Sequence, residues 1–569
     1  MHLEEYLEDV RARQAGVRPP GTPAQVVYPL GEISLPDHVA HWAVHRPQRP
    51  AVVFEERSVT YRELDELVRR TAGWLASVGV RAGDRVAVHL PNCPQFVVAM
   101  LAVLRLGAVH VPVNPMFREA ELTYELADSG AEVVVTLDTL LPLVASARAR
   151  TAVREVLVTS AGEMAGTDEQ PPPTGGEHTG EQAGVHPWAR AVAHSPVDGP
   201  PADLDAPAAL NYTGGTTGLP KGCVHTQRHM LYTAASSAGA TRCRADGTFV
   251  ALCYIPVFWI AGENLGILNP LVLGGTSVLM ARWDPVKVLH AVHRHRVSTM
   301  VGTVENYLEL LDRPELACLD LASLTDPMAV SFVRRLDTEV RHRWAAAVGP
   351  GSVLREGAYG MTETHTFDAT PYGMAEGDRD LRSEPVFCGV PVPGTDIAVV
   401  SFTTGEPLPL GEVGEIVVRS PSVMTGYWNN PEATARQLRD GWLRTGDNGR
   451  LDEDGCLHYL GRDKDMIKVK GMSVFPAEVE ALLGSHPDVC TAAVVAADDA
   501  VRGQVPVAFV RLRAGATADA AALRAWAREN MAPYKVPLVE VVDDFPMTAT
   551  GKIRKVELAE RARRLGEPA

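Results

Sequence analysis

Short apolar runs alternate with amphipathic segments in the first part of the chain, and this alternation restricts the fold more than any other feature. The apolar runs of strand length are residues 51–54, 86–90, 109–113 and 133–137. After the first run, Thr60-Tyr61-Arg62-Glu63 has the capping-box pattern that starts a helix, and Gly79 fits its end. Residues 95–106 indicate a second, apolar helix. Strands that alternate with helices predict a parallel sheet with helices on both faces.

The length of the chain and a change of pattern near its end predict a second domain. A chain of 569 residues exceeds the usual size of one domain. After Gly461 we expect helices at residues 476–483 and 520–530 and strands at residues 491–496, 505–512 and 538–542. The expected fold is therefore α/β, with a large N-terminal domain at residues 1–461 and a small, mobile α+β C-terminal domain at residues 462–569.

Residues 160–206 differ in composition from the segments around them. They contain Pro171-Pro172-Pro173 and Gly175-Gly176, together with many Glu, Gly and His residues, and show no helix or strand periodicity. We interpret this segment as a long, flexible surface insertion and expect regular structure to resume at Ala208.

Composition argues against several classes of protein. The formal net charge is −16 and the isoelectric point is about 5.6, so general binding to nucleic acid is not expected. The eight cysteines include no C-x-x-C pair and no zinc-finger spacing. The acidic N-terminus lacks the apolar stretch of a signal peptide, and no apolar run reaches the ~18 residues of a membrane span. We expect a cytoplasmic protein with reduced thiols and no membrane span.

A loop rich in glycine and threonine follows an apolar segment that ends at Tyr212. Glycine lets backbone N–H groups turn toward a polyphosphate, hydroxyl groups add donors, and lysine adds a positive charge. The spacing differs from a Walker loop, since Leu219-Pro220 separates Gly218 from the lysine. A plain flexible turn is the alternative. The pattern favours phosphate binding through Thr213, Gly214, Gly215, Thr216, Thr217, Gly218 and Lys221.

This loop and four later segments resemble the ANL adenylate-forming superfamily, which contains acyl-CoA synthetases, carrier-protein adenylation domains and luciferases. Residues 212–222 are similar to its phosphate loop. The later matches, in the superfamily's order, are residues 358–364, 442–447, 461–464 and 546–552. The resemblance runs from about residue 35 to about residue 560 and is of the acyl-CoA synthetase type, for fatty or aryl acids. It implies a layered N-terminal domain with a small β-barrel-like part.

The resemblance implies an ATP site. Tyr359 would offer a flat face to adenine, and Thr362 would donate to the α-phosphate. Mg²⁺, which prefers oxygen ligands shared with phosphates, would bind Glu363 and Thr213. The same segment implies further ATP contacts at Gly357, Ala358, Gly360 and Met361.

Two further segments complete the implied site. Asp447 suits the ribose hydroxyl groups, and by resemblance Arg462 also reaches the ribose. Lys552 occupies the position of the superfamily's catalytic lysine. The hinge and coenzyme A residues implied by the resemblance are Lys464, Lys470 and Gly471.

The implied reaction has two steps and uses ATP, Mg²⁺ and coenzyme A. A carboxylate attacks the α-phosphorus of ATP, giving acyl-AMP and pyrophosphate, and the thiol of coenzyme A then takes the acyl group. Catalysis by positioning and positive charge suits this chemistry. The expected catalytic residues are Lys552, Glu363, Thr362 and Lys221. Between the steps, the small domain would rotate and withdraw Lys552.

The implied acid pocket gives less information. Its expected lining is Phe258, Trp259, Glu263, Gly302, Glu305, Ser331 and His365. Many acyl-CoA synthetases have histidine where this chain has Trp259, which either caps the pocket or packs against the sheet. A carboxyl group facing the cavity would argue against a plain fatty acid, because an unpaired buried carboxylate is costly. The alternative is that Glu263 and Glu305 point elsewhere or pair with arginine.

Other functions stay open at this point. The same adenylate could be passed to a carrier-protein thiol or to an amine, and some relatives activate nitrous acid. A non-catalytic nucleotide-binding protein is a different class, but the intact site argues against it: Lys221, Glu363, Asp447 and Lys552. The superfamily contains monomers and homodimers, and the sequence does not distinguish them.

Overall fold

The computed structural model describes residues 3–160, 162–163, 165, 183–213, 219–240, 246–331, 335–357, 359–365, 367–382, 386–462, 465–469, 472–499, 502–531, 533–548 and 552–566. In these residues the chain forms a large N-terminal domain of sheets layered with helices, followed by a small C-terminal α+β domain. The predicted α/β fold class is confirmed.

The first sheet holds the glycine- and threonine-rich loop. Its strands, in order across the sheet, are Gly426–Tyr427, Gly222–Thr226, Pro207–Tyr212, Val109–Pro112, Arg85–His89, Val133–Leu137, Glu155–Thr159 and Val185–Pro187. From Pro207–Tyr212 onward neighbouring strands are parallel, whereas Gly222–Thr226 runs back against Pro207–Tyr212. The loop therefore joins the two strands of a hairpin, which lies near one edge of a mainly parallel sheet.

The second sheet presents the expected acid-pocket segments at one edge. Its strands are, in order, Arg355–Glu356, Asp326–Val330, Thr299–Thr303, Val250–Cys253, Thr276–Leu279, Pro50–Phe54 and Arg57–Thr60. All neighbours are parallel except the hairpin of Pro50–Phe54 with Arg57–Thr60. Ligands bind outside the carboxyl ends of parallel strands. Phe258, Gly302, Ser331 and Gly357 lie at or after the carboxyl ends of four neighbouring strands, so the topology gathers them.

A fully buried helix lies between these two sheets. Helix Pro94–Arg105 contacts strand Arg85–His89 of the first sheet and strand Pro50–Phe54 of the second. A helix covered on all sides must be apolar around its whole circumference. This explains why residues 95–106 show no amphipathic pattern.

The third sheet is antiparallel and corresponds to the small β-rich part that the resemblance implies. Its strands are, in order, Ala369–Thr370, Val386–Pro391, Leu457–Arg462, Trp442–Leu451, Gly414–Arg419 and Asp396–Val400, with Leu438–Arg439 beside Trp442–Leu451. The N-terminal helix Leu3–Val17 packs on it through Tyr6, Leu7 and Val10. Arg11 also pairs with Asp396 at 2.7 Å.

The C-terminal domain has a sheet of its own. Its strands are Met472–Val474, Ile467–Val469, Gly503–Leu512 and Val489–Asp499, with Leu538–Val541 parallel to Gly503–Leu512. Its helices are Pro476–Gly484, Ala520–Asn530 and Lys555–Gly566. These elements enclose a separate apolar core around Ile467, Val494 and Leu523.

The helices of the N-terminal domain are Leu3–Val17, Leu35–His45, Tyr61–Ser77, Pro94–Arg105, Glu119–Ser129, Leu141–Arg148, Trp188–Val192, Gln227–Gly239, Ile260–Glu263, Asn269–Leu273, Pro285–His295, Val304–Leu311, Thr338–Val348, Arg379–Arg382 and Pro431–Gln437. Among the residues that the structure describes, no helix combines the length and the apolar character needed to cross a membrane.

The sequence located most of the elements to within two residues or so. Helix Tyr61–Ser77 begins at Thr60 with the expected capping box, in which Thr60 and Glu63 exchange hydrogen bonds. Strand Val133–Leu137 and helix Ala520–Asn530 have the predicted bounds. Strand Val489–Asp499 extends beyond the predicted residues 491–496 at both ends.

The expectation that regular structure resumes only at Ala208 is wrong. Strand Val185–Pro187 joins the first sheet, and helix Trp188–Val192 follows it. Trp188 is buried in the same apolar core as Trp74, which fixes this segment. Residues 166–182 lie outside the described residues, so the predicted flexibility of the insertion stays a prediction.

A buried ion pair fixes helix Thr338–Val348 beneath the second sheet. Arg341 Nη1 lies 3.0 Å from Asp378 Oδ1 and 2.8 Å from Asp380 Oδ1, and Arg341 Nε donates to the carbonyl oxygen of Leu354 at 2.8 Å. The side chain of Asp380 is fully buried. Removing the arginine would leave a buried carboxylate without its cation.

We predict that Arg341→Met lowers the free energy of unfolding of the N-terminal domain by about 3–5 kcal/mol, the usual cost of breaking a buried pair. The matched control is Arg343→Met on the same helix. Its exposed pair with Asp312, at 3.2 Å, should contribute about 0–1 kcal/mol. Denaturant unfolding followed by tryptophan fluorescence measures both. Equal losses in the two variants would contradict the prediction.

Candidate active site

The two ends of the glycine- and threonine-rich loop are held together. Strands Pro207–Tyr212 and Gly222–Thr226 pair with Tyr212 opposite Gly222. The backbone N–H of Thr213 donates to the carbonyl oxygen of Lys221 at 2.9 Å. Gly214, Gly215, Thr216, Thr217 and Gly218, all predicted to bind phosphates, lie outside the described residues. The described ends therefore define the mouth of the loop.

Helix Glu119–Ser129 anchors this hairpin. The Tyr212 hydroxyl donates to Asp128 Oδ2 at 2.7 Å, and the Tyr124 hydroxyl donates to the carbonyl oxygen of Pro220 at 2.8 Å. Gly222 packs closely against Tyr212, since a Cβ atom there would lie 3.1 Å from the tyrosine ring. The sequence therefore fixes both sides of the loop against the body of the domain.

Tyr427 joins two predicted ligand-binding groups, and sequence reasoning missed it. The Lys221 ammonium lies 4.2 Å from the centroid of the Tyr427 ring, which is a cation–π contact. The Tyr427 hydroxyl donates to Glu363 Oε1 at 2.8 Å and also contacts the amide of Gln437. Strand Gly426–Tyr427 pairs with Gly222–Thr226, which places the ring beside the loop. No local motif marks this tyrosine, because its role depends on that pairing.

The Thr362-Glu363 segment forms a short 3₁₀ turn, Thr362–Thr364, whose backbone is tied down on several sides. His225 Nε2 donates to the carbonyl oxygen of Thr362 at 2.8 Å, and the N–H of Met424 donates to that of Glu363 at 2.8 Å. The Ser422 hydroxyl donates to the carbonyl oxygen of Thr364 at 2.8 Å. These bonds leave the side chains of Thr362 and Glu363 available for ligands.

A second predicted group lies on the third sheet. Asp447 and Arg462 face each other on paired strands, with Arg462 Nε 3.0 Å from Asp447 Oδ1. The Tyr359 hydroxyl donates to Asp447 Oδ2 at 2.9 Å. Burial raises the pKa of Asp447, and the Arg462 charge and the Tyr359 hydrogen bond oppose that rise. The predicted adenine residue and both predicted ribose residues thus form one contact group.

Lys552 of the small domain lies near this group. Thr548 and Lys552 close a tight loop: the Thr548 N–H donates to the carbonyl oxygen of Lys552 at 2.7 Å. Desolvation lowers the pKa of Lys552, the nearby Arg462 guanidinium lowers it further, and Asp447 opposes both effects. Lys552 therefore lies close enough to both predicted ribose residues for their charges to influence its pKa.

The other predicted nucleotide and hinge residues are less informative. The Gly357 N–H donates to the carbonyl oxygen of Ala329 at 2.7 Å, which continues the pairing at the end of the second sheet. Gly360 is exposed, and Met361 packs against the core of the third sheet. Ala358, Lys464, Lys470 and Gly471 lie outside the described residues.

The residues predicted to line the acid pocket form separate groups. Phe258 is buried, and Trp259 packs against the same apolar core, with ring centroids 5.5 Å apart. A Cβ atom at Gly302 would lie 3.2 Å from the Tyr254 hydroxyl, and Glu305 influences the pKa of the same tyrosine. Ser331 bonds to Glu356 instead of facing the others.

Glu263 and His365 lie deeper in the domain, and both are fully buried. Asn264, the residue after Glu263, donates to the carbonyl oxygen of His365 at 2.8 Å. Burial raises the pKa of Glu263 to about 8 and lowers that of His365 to about 3. No arginine pairs with Glu263 in the part of the chain that is described. Asn211 and Asn264, which contact these residues, were not predicted.

The oxygen ligands available suit Mg²⁺ better than a transition metal. Across the described residues, no group of three or more His, Cys, Asp or Glu side chains could hold a metal ion. Mg²⁺ typically takes one or two protein carboxylates and otherwise binds phosphate oxygens and water. The Glu363 carboxylate accepts only one described hydrogen bond at Oε1 and has lone pairs left for a cation. Glu363 therefore fits the predicted ion, and the role of Thr213 stays a prediction.

Comparison with known proteins agrees with this arrangement. The family model described as AMP-binding enzyme matches residues 39–428, and that described as AMP-binding enzyme C-terminal domain matches residues 478–552. A long-chain-fatty-acid–CoA ligase of Bacillus subtilis (strain 168) is 34% identical over 549 residues, covering 94% of this chain and 95% of that protein. A feruloyl-CoA synthase of Amycolatopsis sp is 36% identical over 526 residues, covering 91% and 98%.

A solved structure shows the same fold. The crystal structure of ATP-bound MatB from Rhodopseudomonas palustris superposes with a TM-score of 0.80 at 27% identity, covering 94% of this chain and 100% of that one. The match spans both domains, as the two family models do. The chain belongs to the AMP-binding enzyme family.

Proposed function

We propose that this chain is an acid–coenzyme A ligase that forms AMP. It converts a carboxylic acid and ATP into acyl-AMP and pyrophosphate, and then transfers the acyl group to the thiol of coenzyme A. The observation that supports this most directly is the placement of Lys552 beside Asp447 and Arg462, while Lys221 and Glu363 meet at Tyr427. Relatives over almost the whole length are named as CoA ligases or synthases.

In the first step the chain supplies positioning and positive charge. Thr213, Lys221 and the loop between them hold the β- and γ-phosphates, and Thr362 donates to the α-phosphate. Lys552 holds the carboxylate oxygen against the α-phosphorus and stabilises the charge on the phosphate oxygens. A Mg²⁺ ion held by Glu363 would further stabilise the negative charge on the phosphate oxygens. A protein nucleophile is not needed.

In the second step the small domain presents a different segment to the active site. The proposed division places residues 1–461 in the large domain and residues 462–569 in the small one. Rotation about Lys464 withdraws Lys552 and brings the segment near Lys470 and Gly471 to the path of the thiol. The proposed boundary lies at the end of strand Leu457–Arg462, the last strand of the third sheet in chain order.

The acid and the acceptor are tested together. Wild-type enzyme is given ATP and a panel of fatty and aryl acids, because relatives are named for long-chain fatty acids and for ferulate. Pyrophosphate release identifies the acid, and coenzyme A, carrier proteins and amines are then compared as acceptors. Thioester formation with coenzyme A supports the proposal. If pyrophosphate is released but no thioester of coenzyme A forms, the acceptor is a different one, such as a carrier-protein thiol or an amine.

Replacing Lys552 should separate the half-reactions. Lys552→Ala is expected to lower ATP–pyrophosphate exchange by at least about 100-fold, because a positioned charge at the transferring group is lost. Thioester formation from preformed acyl-AMP should change by less than about threefold, since the lysine has no role there.

Arg554→Ala is the matched control for this experiment. Arg554 is a cation two positions further along the same loop, and it pairs with Glu557 at 2.9 Å. Its removal should change both half-reactions by less than about twofold. If Lys552→Ala kept normal pyrophosphate exchange, the role assigned to Lys552 would be incorrect.

The contacts of Tyr427 can be separated by two substitutions. Tyr427→Phe keeps the ring beneath Lys221 but removes the hydrogen bond to Glu363, and it should lower kcat/KM for MgATP by about five- to tenfold. Tyr427→Leu also removes the cation–π contact and should lower it by about tenfold more. Mg²⁺ titrations should show a higher requirement in both variants.

Glu363→Gln completes this series. It retains the shape of the side chain but loses the charge that attracts Mg²⁺, so it should raise the Mg²⁺ requirement more than Tyr427→Phe does. Unchanged Mg²⁺ dependence in Glu363→Gln would show that this carboxylate does not hold the ion.

A further inference from the structure

A buried polar group lies next to the nucleotide segments and takes no part in the reaction steps above. We call it the Glu263 cluster, and its members are Asn211, Glu263, Asn264 and His365. Each of these residues is at most 3% exposed. Polar side chains this deeply buried normally have their hydrogen bonds made within the protein. The cluster departs from that rule.

The internal contacts of the cluster are few. Asn211 Nδ2 donates to Glu263 Oε2 over 3.5 Å, which is a long hydrogen bond. Asn264 Nδ2 donates to the carbonyl oxygen of His365 at 2.8 Å and lies 3.4 Å from His365 Nδ1. Because a carbonyl oxygen only accepts, these contacts fix the orientation of the Asn264 amide. They also make His365 Nδ1 an acceptor, which places the ring proton on Nε2.

The remaining polar atoms are unmatched. Among the described residues, no hydrogen-bond partner exists for Asn211 Oδ1, Glu263 Oε1, Asn264 Oδ1 or His365 Nε2. Each unmade bond at a buried atom costs about 1–3 kcal/mol. Elsewhere in the chain the half-buried Glu356 takes hydrogen bonds at both oxygens from Ser331, at 3.0 and 2.6 Å. The cluster therefore has hydrogen-bonding capacity that Glu356 does not have.

The backbone around the cluster is also unusual. Helix Ile260–Glu263 passes directly into a π-helical turn, Asn264–Leu268. Such turns are rare and occur frequently at functional sites. His365 has a φ angle of 57°, a left-handed conformation that residues other than glycine seldom adopt. Two backbone segments of the cluster therefore have uncommon conformations.

The location of the cluster connects it with the acid. Asn211 lies two residues before Thr213, and His365 lies two residues after Glu363. Glu263 follows the carboxyl end of strand Val250–Cys253, on the side of the second sheet where ligands are expected. An acid that reacts at the α-phosphate would extend its other end into this region.

The unmatched atoms indicate which kind of ligand group could form the missing hydrogen bonds. The two amide oxygens are acceptors, His365 Nε2 is a donor, and burial raises the pKa of Glu263 to about 8, so this carboxyl group is mostly protonated at neutral pH. With Glu263 protonated, the unmatched atoms include both donors and acceptors, which favours an uncharged partner that can donate and accept, such as a hydroxyl or amino group. A second carboxylate would place a negative charge against acceptor oxygens and is disfavoured.

We propose that the acid activated by this chain has an uncharged hydroxyl or amino group on its acyl part, and that the Glu263 cluster binds this group. The inference rests on the proposed ligase function and specifies the class of its substrate. An apolar acid of the same shape would leave the cluster unmatched and would react more slowly.

The test compares matched acids. Benzoate is paired with 4-hydroxybenzoate and with 4-aminobenzoate, and hexanoate is paired with 6-hydroxyhexanoate. For wild-type enzyme, kcat/KM for pyrophosphate release should favour the substituted acid by at least about tenfold in one or more pairs. Calorimetric binding of each acid in the presence of AMP gives the same comparison without turnover. Equal or better use of the unsubstituted acid in every pair would overturn the proposal.

Substitutions then assign the preference to the cluster. Glu263→Leu should reduce the ratio within a pair to about threefold or less, and Glu263→Gln, which still donates and accepts, should keep it. The matched control is Glu125→Leu, because Glu125 is equally buried, has an unmatched Oε1, and has its pKa raised to about 8 by burial. It should leave the ratio unchanged. A ratio that survives Glu263→Leu would overturn the role of the cluster.

The outcomes separate this inference from the ligase function. If no acid in any pair releases pyrophosphate, the ligase function fails, and the calorimetric preference still decides the inference. If acids react without a preference, the ligase function stands and the inference fails. The comparison of acids with wild-type enzyme tests the substrate class by itself. The proposal can therefore still be refuted if one of the variants does not fold.

Discussion

A lysine ammonium and a glutamate carboxylate that met directly would neutralise each other, and neither would then be available to phosphate or metal. Tyr427 contacts both groups, one through its ring and the other through its hydroxyl. Its ring face holds the ammonium of Lys221 at 4.2 Å, and its hydroxyl holds Glu363 at 2.8 Å. The proposed site depends on this separation, because it needs a cation and an anion that stay uncompensated until MgATP arrives. The hairpin that closes the loop and the strand that bears Tyr427 both serve to keep that spacing.

The second half of the site balances charge differently. Asp447 is buried and paired with Arg462, and both residues influence the pKa of Lys552. Desolvation and the Arg462 charge lower the pKa of the lysine, and Asp447 opposes them. In the proposed reaction the same ammonium group stabilises the charge that develops on the phosphate oxygens. The two domains therefore contribute complementary parts of one electrostatic arrangement.

Local patterns predicted the fold well because they act over a few residues. Thr60 and Glu63 form a cap whatever the rest of the chain does, and the alternation of strands and helices restricts the topology. The motif positions also predicted that Asp447, Arg462 and Lys552 belong together. Tyr427 could not be found in this way, since its importance comes from pairing with a strand far away in sequence. The segment around Trp188 is missed for a related reason, because its structure depends on a core formed by residues distant in the sequence, such as Trp74.

The position of helix Leu3–Val17 has a practical consequence for anyone who shortens this protein. The helix precedes residue 39, where the match to the family begins, yet it covers the third sheet with Tyr6, Leu7 and Val10. Tyr359 belongs to the same apolar core. A chain trimmed to residue 39 would expose an apolar face of the third sheet, which supports the predicted adenine residue Tyr359. Such a fragment would be prone to self-association, and an affinity tag is better placed at the other terminus.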